Sequence, residues 1–596
     1  MSSQHAKISS RVLFLSQFPG VAKLATNAKN LPAFRVESCE NVASPRLDSK
    51  IRFAIPTPPM NRPPTSSRRF VGLFALYTIA ALHAASPVFA ANPNIIYILC
   101  DDLGYGDVKC LNENGKIATP NMDRLAAGGM IFTDAHSGSA VCSPTRYGIV
   151  TGRYSWRSPL QSGVLGGLSP RLIEQGRMTV ASLLKDHGYT TGCIGKWHLG
   201  MDWAKLSGKD VTDLSVENPD QVHNVDYTQP IKNGPNSVGF DYYYGISASL
   251  DMVPYTYIEN DHVTALPTVD KEFPMYEGRQ TNMTRKGPAA PDFETRDVLP
   301  TLTRKAVEFV SAHAADAKSG KPFFLYLPLN APHTPIVPNA DWLGKSGISP
   351  YADYVMETDW AIGQVLDSLD KQGLADSTLI FMASDNGCSP SANFAELAEK
   401  GHNPSYVFRG TKADIWDGGH HIPFLARWPG KIKAGSRTGQ LAWLGDFMAT
   451  CAEIVGDKLP ADAAEDSASL LPTLLGQSDK PIHEAIVHHS VNGSFAIREA
   501  QWKLELCSGS GGWSFPKPGT AAAQKLPPVQ LYDMAADIGE KVNTQSDHTE
   551  TVDRLTRLLE KYVADGRSTP GSPQKNDVPI QLWKDRNYKA KSGNAD

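Results

Sequence analysis

Four apolar runs of strand length, each ending in groups able to hold or move charge, constrain this chain most. They are Ile95-Ile-Tyr-Ile-Leu-Cys100, Thr190-Thr-Gly-Cys-Ile194, Phe323-Phe-Leu-Tyr-Leu-Pro-Leu329 and Thr378-Leu-Ile-Phe-Met-Ala383. Between them, residues 179–187 and 351–372 show helical spacing, each closing near a glycine, Gly188 and Gly373. Strand-like runs alternating with helical ones predict an α/β fold with a large, mostly parallel central sheet flanked by helices. In such sheets ligands gather at the carboxyl ends of the strands. The residues just beyond each run therefore matter more than the run itself.

The first run leads directly into Asp101-Asp102. Two adjacent ionised carboxylates repel one another and ask for a cation. The fourth ends in Asp385-Asn386-Gly387, two more hard oxygen ligands before a turn-permissive glycine. Alone, that pair reads more readily as a turn or helix cap. Its recurrence at a second strand end favours a divalent cation, and an all-oxygen set suits Ca²⁺ or Mg²⁺ rather than zinc.

The second run continues as Gly195-Lys196-Trp-His198-Leu-Gly200. In an extended segment Lys196 and His198 project to one side. A cation beside an imidazole suits an anionic substrate and a proton transfer. After the third run, His333 sits between Pro332 and Pro335 in a non-helical connection. Lys412 comes after a glycine turn at Arg409-Gly410-Thr411 and, taken alone, reads as a solvated surface lysine.

Residues 142–146, Cys-Ser-Pro-Thr-Arg, open a run that reaches Thr151-Gly-Arg153. By itself this is a turn opening a helix, with Pro144 at the first helical position. In context it resembles the signature of type I sulfatases, members of the alkaline phosphatase-like superfamily. The resemblance spans residues 94–543 in ordered blocks. They include the opening strand through Gly104, Thr119-Pro-Asn-Met-Asp-Arg-Leu-Ala126, 195–200, 331–335, 384–387 and 409–412. Asp466-Ser467, 495–503 and Leu531-Tyr-Asp533 continue it towards the C-terminus.

The resemblance implies that Cys142 is oxidised after translation to formylglycine, whose hydrate is the nucleophile. Asp101, Asp102, Asp385 and Asn386 would hold a divalent cation, Ca²⁺ in most relatives with Mg²⁺ as the alternative, and modified Cys142 would complete that site. Arg146 would polarise the hydrate, while Lys196, His333 and Lys412 would contact sulfate oxygens. His198 would sit beside the second hydroxyl, and His333 or Lys412 would protonate the leaving alcohol. Asp385 could also take the attacking hydroxyl's proton, in competition with its metal role. His420-His421 receive no role, and His488-His489 read as a pocket wall or core pair before a zinc site.

The implied activity is hydrolysis of sulfate monoesters, on sulfated carbohydrates and on small aryl sulfates. The alternatives are a phosphate or phosphonate monoester hydrolase of the same superfamily, or an unmodified sulfated-glycan binding protein. Residues 240–257, rich in aromatics, could stack on sugar or aryl rings or simply anchor the core.

A net charge of -4 with no long run of like charges gives nucleic acid no basic field to bind. Residues 1–59 read as a disordered or non-native extension, with translation starting near Met60. Residues 60–90 read as a signal peptide, with Arg68-Arg69, an apolar stretch from Val71 to Leu82, and small residues up to Ala90. About a dozen apolar residues fall short of the ~20 that span a bilayer, so no stable membrane anchor is expected. The expectation is a periplasmic or secreted protein, cleaved after about Ala90. Its partners would be the secretion machinery and a formylglycine-generating enzyme.

The catalytic domain is expected over 91–459, with insertions at a binding face in 204–300 and a linker at 460–469. A smaller C-terminal α+β domain with an antiparallel sheet would occupy 470–566, with a polar tail over 567–596. Six cysteines besides Cys142 lie beyond the leader and could pair in an oxidising compartment.

Overall fold

The computed structural model describes residues 92–206, 219–279 and 282–584. The expected extension and leader lie outside the described residues. A ten-stranded mixed sheet forms the centre of the molecule. Its middle is five parallel strands in the order Thr378–Ser384, Asn94–Cys100, Phe323–Pro328, Thr190–Lys196 and Tyr242–Ile246. Phe424–Arg427 runs antiparallel beside the first of these, and Met130–Phe132 runs antiparallel beside it in turn.

The opening strand shows why the runs are so apolar. It is buried along its whole length, and its side chains alternate between two cores. Ile96, Ile98 and Cys100 pack into one, under the helices Val298–Lys318 and Pro350–Gln372. Ile95, Tyr97 and Leu99 pack into the other, with the helices Cys142–Thr151, Val180–Asp186 and Asp446–Val455. A period of two feeding two layers leaves no solvent face, hence no polar positions. The helix Pro350–Gln372 starts where the Ser349 side chain accepts from the Ala352 amide and stops at Gly373, whose φ of 63° is left-handed.

Strand register sets the site. Cys100 pairs with Ser384 and Leu99 with Pro328, so residues 101–102, 329–333 and 385–386 leave the sheet at one edge. Gly195 allows the neighbouring strand to join them. Its φ is 140°, and a Cβ there would lie 1.9 Å from the Pro328 carbonyl oxygen.

The segment 204–300 differs from its expected role as insertions. Tyr242–Ile246 within it is a central-sheet strand, parallel to Thr190–Lys196. The aromatic run around it is core: Phe240, Tyr243, Tyr244 and Tyr255 are buried. A short aromatic strand looks like a loop anchor in sequence because polar residues flank it closely on both sides.

A four-stranded antiparallel sheet, Ile486–His489, Phe495–Glu499, Trp502–Glu505 and Gln530–Asp533, carries the helix Thr549–Ala564. Within 460–469, where a linker was expected, Ala463, Ala464, Glu465 and Asp466 are buried. Asp466 forms a two-pronged ion pair with buried Arg157 at 2.8 Å. The tail to residue 584 packs back on the catalytic part, where Asp577 pairs with Arg153. The seven described cysteines are all free, most of them buried, so the expected pairing among six of them is not seen. Among the described residues no helix is long and apolar enough to cross a membrane.

Candidate active site

All ten residues singled out in the sequence meet at the carboxyl edge of the parallel strands, and every one is buried. Cys142 is the first residue of the helix Cys142–Thr151, and Arg146, one turn later, lies on the same face. Arg146 Nη2 donates to Asp385 Oδ2 at 2.8 Å and lies 3.3 Å from Asp101 Oδ2, while Nη1 donates to the Lys196 carbonyl at 2.9 Å. Lys196 Nζ is 2.5 Å from Asp101 Oδ2, and Lys412 Nζ is 2.6 Å from Asp102 Oδ1. Lys412 is thus a buried ion-paired lysine, not the solvated one its sequence context alone suggested.

The carboxylates fit a cation. Asp101, Asp102 and Asp385 each bring an oxygen within 4.8 Å of the others. Asp101 Oδ1, Asp102 Oδ2 and Asn386 Oδ1 are buried without a hydrogen-bond partner. Asn386 turns its amide nitrogen to Asp102 Oδ1 at 2.7 Å, leaving its own side-chain oxygen free. Burial and the neighbouring Asp101 push the Asp385 carboxyl up to about 7. Crowded carboxylates with unpartnered oxygens are what a hard divalent cation relieves. Three carboxylates balance Lys196, Lys412 and Arg146, so a divalent cation leaves the site net positive, as an anionic substrate requires.

Cys142 faces a strongly positive environment. Burial alone would raise its thiol, yet Lys196, Lys412 and His198 hold it well below the ordinary value. His198 Nε2 donates to the Leu165 carbonyl at 2.6 Å, so Nε2 carries the proton and the unpartnered Nδ1 is the free base nitrogen. Burial and Lys196 lower the His198 pKa, keeping that nitrogen unprotonated.

His333 behaves in the opposite way. Its Nδ1 donates to the Thr334 carbonyl at 2.5 Å, and its Nε2 lies 3.7 Å from Asp102 Oδ2. Burial and Lys412 oppose its charge, but Asp102 and Asp101 outweigh them and raise it to about 9. One imidazole is set as a base and the other as an acid. Asp102 and His198 both hold positive φ, 64° and 56°. Such backbone costs on the order of 1–3 kcal/mol per residue and clusters at functional sites.

A cavity of about 670 Å³ opens from Cys142, His333 and Lys412. Its walls include Ser249, Asp251, Arg285 and Trp513, of which Arg285 and Trp513 were not among the sequence candidates. The aromatic run expected to stack on rings contributes Ser249, Asp251 and Met252 to the wall rather than its own rings. For Trp513 a signal did exist: the connection 506–529 between two antiparallel strands is far longer than a hairpin needs. His420 and His488 lie apart from the site, as a stacked pair beside His136.

The sulfatase family profile matches residues 93–457. N-acetylgalactosamine-6-O-sulfatase of Bacteroides thetaiotaomicron is 34% identical over 78% of this chain and 92% of its own length. Human arylsulfatase A is 31% identical over 77% of this chain and 85% of its own. Human steryl-sulfatase is 32% identical over 70% and 75%. Among solved structures, a B. thetaiotaomicron sulfatase from work on the metabolism of multiple glycosaminoglycans superposes with a TM-score of 0.67. It shares 33% identity over 79% of this chain and 99% of its own. Ps i-CgsB in complex with k-i-k-neocarrahexaose gives a TM-score of 0.57 at 26% identity, over 81% of this chain and 95% of its own.

The chain belongs to the sulfatase family, within the alkaline phosphatase-like superfamily. Its activity is that of a sulfuric ester hydrolase.

Proposed function

We propose that the chain hydrolyses sulfate monoesters of carbohydrates with residue 142, oxidised from cysteine to formylglycine, as the nucleophile. A divalent cation, Ca²⁺ before Mg²⁺, is held by Asp101, Asp102, Asp385, Asn386 and the modified residue 142. One juxtaposition carries this reading. Cys142 opens a buried helix with its thiol held low, against carboxylates whose oxygens lack partners.

As a hydrated aldehyde, residue 142 would supply one hydroxyl to attack sulfur, its proton passing to Asp385, and a second whose deprotonation re-forms the aldehyde C=O and breaks the C–O bond that releases sulfate. A divalent cation held by these residues would withdraw charge from the sulfate oxygens. Arg146 orients residue 142 from the next helical turn and anchors Asp385. Lys196 and Lys412 neutralise the remaining sulfate oxygens, acting as fixed clamps on developing charge. His198 Nδ1, the free base nitrogen, takes the proton of the second hydroxyl. His333, protonated through its carboxylate neighbours, gives its Nε2 proton to the leaving alcohol, with Lys412 beside it.

A carbohydrate is supported by the mixed cavity wall, where Asp251, Arg285 and several serines stand beside apolar residues. The names of the B. thetaiotaomicron relatives point the same way. The leader over 60–90 supports export to the periplasm or medium, with cleavage after about Ala90. Export needs the secretion machinery, and activation needs a formylglycine-generating enzyme. The deciding experiment compares kcat/KM for an aryl sulfate and the matching aryl phosphate, on protein whose 142–146 peptide shows by mass the loss of sulfur. A phosphate preference, or full activity with an intact Cys142 thiol, would sink the reading.

A further inference from the structure

The C-terminal part of the chain reaches the catalytic cavity through Val491 and Trp513, and the loop that carries Trp513 is fastened at several points. The indole lines the same cavity as Cys142, His333 and Lys412, yet the residue remains 44% exposed. Single exposed aromatics are common and need no explanation by themselves. The way this one is held does need one.

The Trp513 and Ser514 amides both donate to Asp414 Oδ1 at 2.9 Å. Asp414 Oδ2 accepts from the Thr411 amide at 2.9 Å and also from the Ser514 hydroxyl. The Ile415 amide donates to the Ser510 carbonyl at 2.7 Å. Gly512 lies so close that a Cβ would come 2.3 Å from the Ala413 carbonyl oxygen, so no other residue permits this approach. Asp414 is two residues from Lys412. The loop that carries the indole is therefore fastened to the loop that carries a sulfate clamp.

We infer that Trp513 is the stacking platform for a pyranose ring of the substrate, a specificity-determining residue lent to the catalytic cavity by the C-terminal part. This rests on the carbohydrate reading above. A sugar ring is amphipathic, with an apolar C–H face and a rim of hydroxyls. The cavity matches both properties. Trp513 offers a flat apolar face, and Gln161, Ser162, Asp251, Arg285, Ser389 and Ser391 offer hydrogen-bonding groups around it. The cavity volume of about 670 Å³ lies within the ~300–1,000 Å³ typical of sites for sizeable organic ligands, well beyond the room sulfate alone would fill.

The test uses the full chain with residue 142 converted, a size series of oligosaccharides bearing 6-sulfated N-acetylgalactosamine, and p-nitrophenyl sulfate. Trp513→Ala should raise KM for the oligosaccharides about tenfold with kcat within about twofold, and Trp513→Phe should recover most of the loss. Phe515→Ala is the matched control, because Phe515 is 73% exposed on the same loop but outside the cavity wall. It should leave the oligosaccharide KM in place. Unchanged oligosaccharide KM in Trp513→Ala overturns the inference alone. Equal losses in Trp513→Ala and Phe515→Ala, or a collapse of kcat for p-nitrophenyl sulfate in Trp513→Ala, also overturn it by showing a purely structural loop. If the unaltered chain cleaves p-nitrophenyl or steryl sulfate but none of the oligosaccharides, the carbohydrate reading falls and takes this inference with it.

Discussion

Two buried charge clusters in this molecule are built on opposite plans. At the joint between the catalytic and C-terminal parts, Asp466 is fully satisfied. Arg157 Nε and Nη2 and the amides of Tyr154 and Ser568 all donate to it. Arg157 in turn spends Nη1 on the Tyr562 carbonyl and Asn576. At the sheet edge, Asp101, Asp102 and Asn386 are just as deeply buried but each keeps an oxygen without a partner. Buried polar groups are normally paired, because an unpaired one costs about 1–3 kcal/mol. Here the satisfied cluster joins two parts of the chain, whereas the unpartnered oxygens at the sheet edge gather where a cation would sit. Burial alone does not separate the two; the crowding of oxygens from several carboxylates within 4.8 Å, together with the unpartnered oxygens, does.

That contrast can be broken first at residue 142. Cys142→Ala should lower kcat on an aryl sulfate by on the order of 10⁵, with a melting temperature within about 2 °C of the parent. A large fall in melting temperature would mean that the catalytic edge is also structural. The opposite outcome is expected at the joint. Asp466→Asn leaves Arg157 buried without its counter-charge and should cost about 3–5 kcal/mol in urea unfolding. The molecules still folded should keep their specific activity.

The Asp466 pair also has a pH signature. Burial opposes the charge on Asp466, but Arg157 and the surrounding donors lower its pKa. Its contribution is therefore complete above the ordinary carboxylate range and is lost as pH falls through the lower folded value. Asp466→Asn should flatten the acid limb of the stability curve.

Cation binding is the next test in size. Chelator treatment should remove most of the activity, and Ca²⁺ at a hundred times its Kd should stabilise the chain by about 2.7 kcal/mol. Asp101→Ala should abolish that gain, whereas Asp466→Asn should leave it intact. A Ca²⁺ shift that survives in Asp101→Ala would place the ion elsewhere.

The last effect concerns a carboxyl that has burial but neither cation nor ligand. Burial raises Glu357, in the helix Pro350–Gln372, to about 8. Its Oε2 accepts from the Asn339 amide at 2.8 Å, while Oε1 has no partner. The folded chain then holds a proton that the unfolded chain releases above its ordinary pKa, so stability declines with rising pH up to about 8. Glu357→Gln should match the parent near pH 4 and exceed it progressively as pH rises towards 8. Equal stability at both pH values would show that Glu357 ionises freely.

The sequence was most legible where chemistry and backbone geometry coincide. The opening strand was readable because a strand buried on both faces has no polar positions, and Asp101-Asp102 come after it without interruption. Lys412 could be placed only through family resemblance, since nothing local says that a lysine after a turn will be buried against Asp102. Tyr242–Ile246 escaped as a sheet strand because it is short, polar residues flank it closely, and its aromatics suit several settings. Asp466 looked like part of a linker because its partners are 309 residues upstream, at Arg157, and 102 downstream, at Ser568. Trp513 depended on a contact with Asp414 that no periodicity announces. Local pattern carries elements and strand ends, while loop-to-loop fastening is invisible until the chain is folded.

The contact from His198 Nε2 to Leu165 has a further meaning, one of inheritance. The acceptor is a main-chain carbonyl, so the choice of which ring nitrogen stays basic does not depend on the side chain at position 165. Substitutions there can loosen packing, but they leave that acceptor in the chain. The proton-accepting nitrogen is thus protected against most single-codon changes at its supporting residue. Loss of the base should then come from changes at His198 itself, and variation at position 165 should be tolerated to the extent that packing allows.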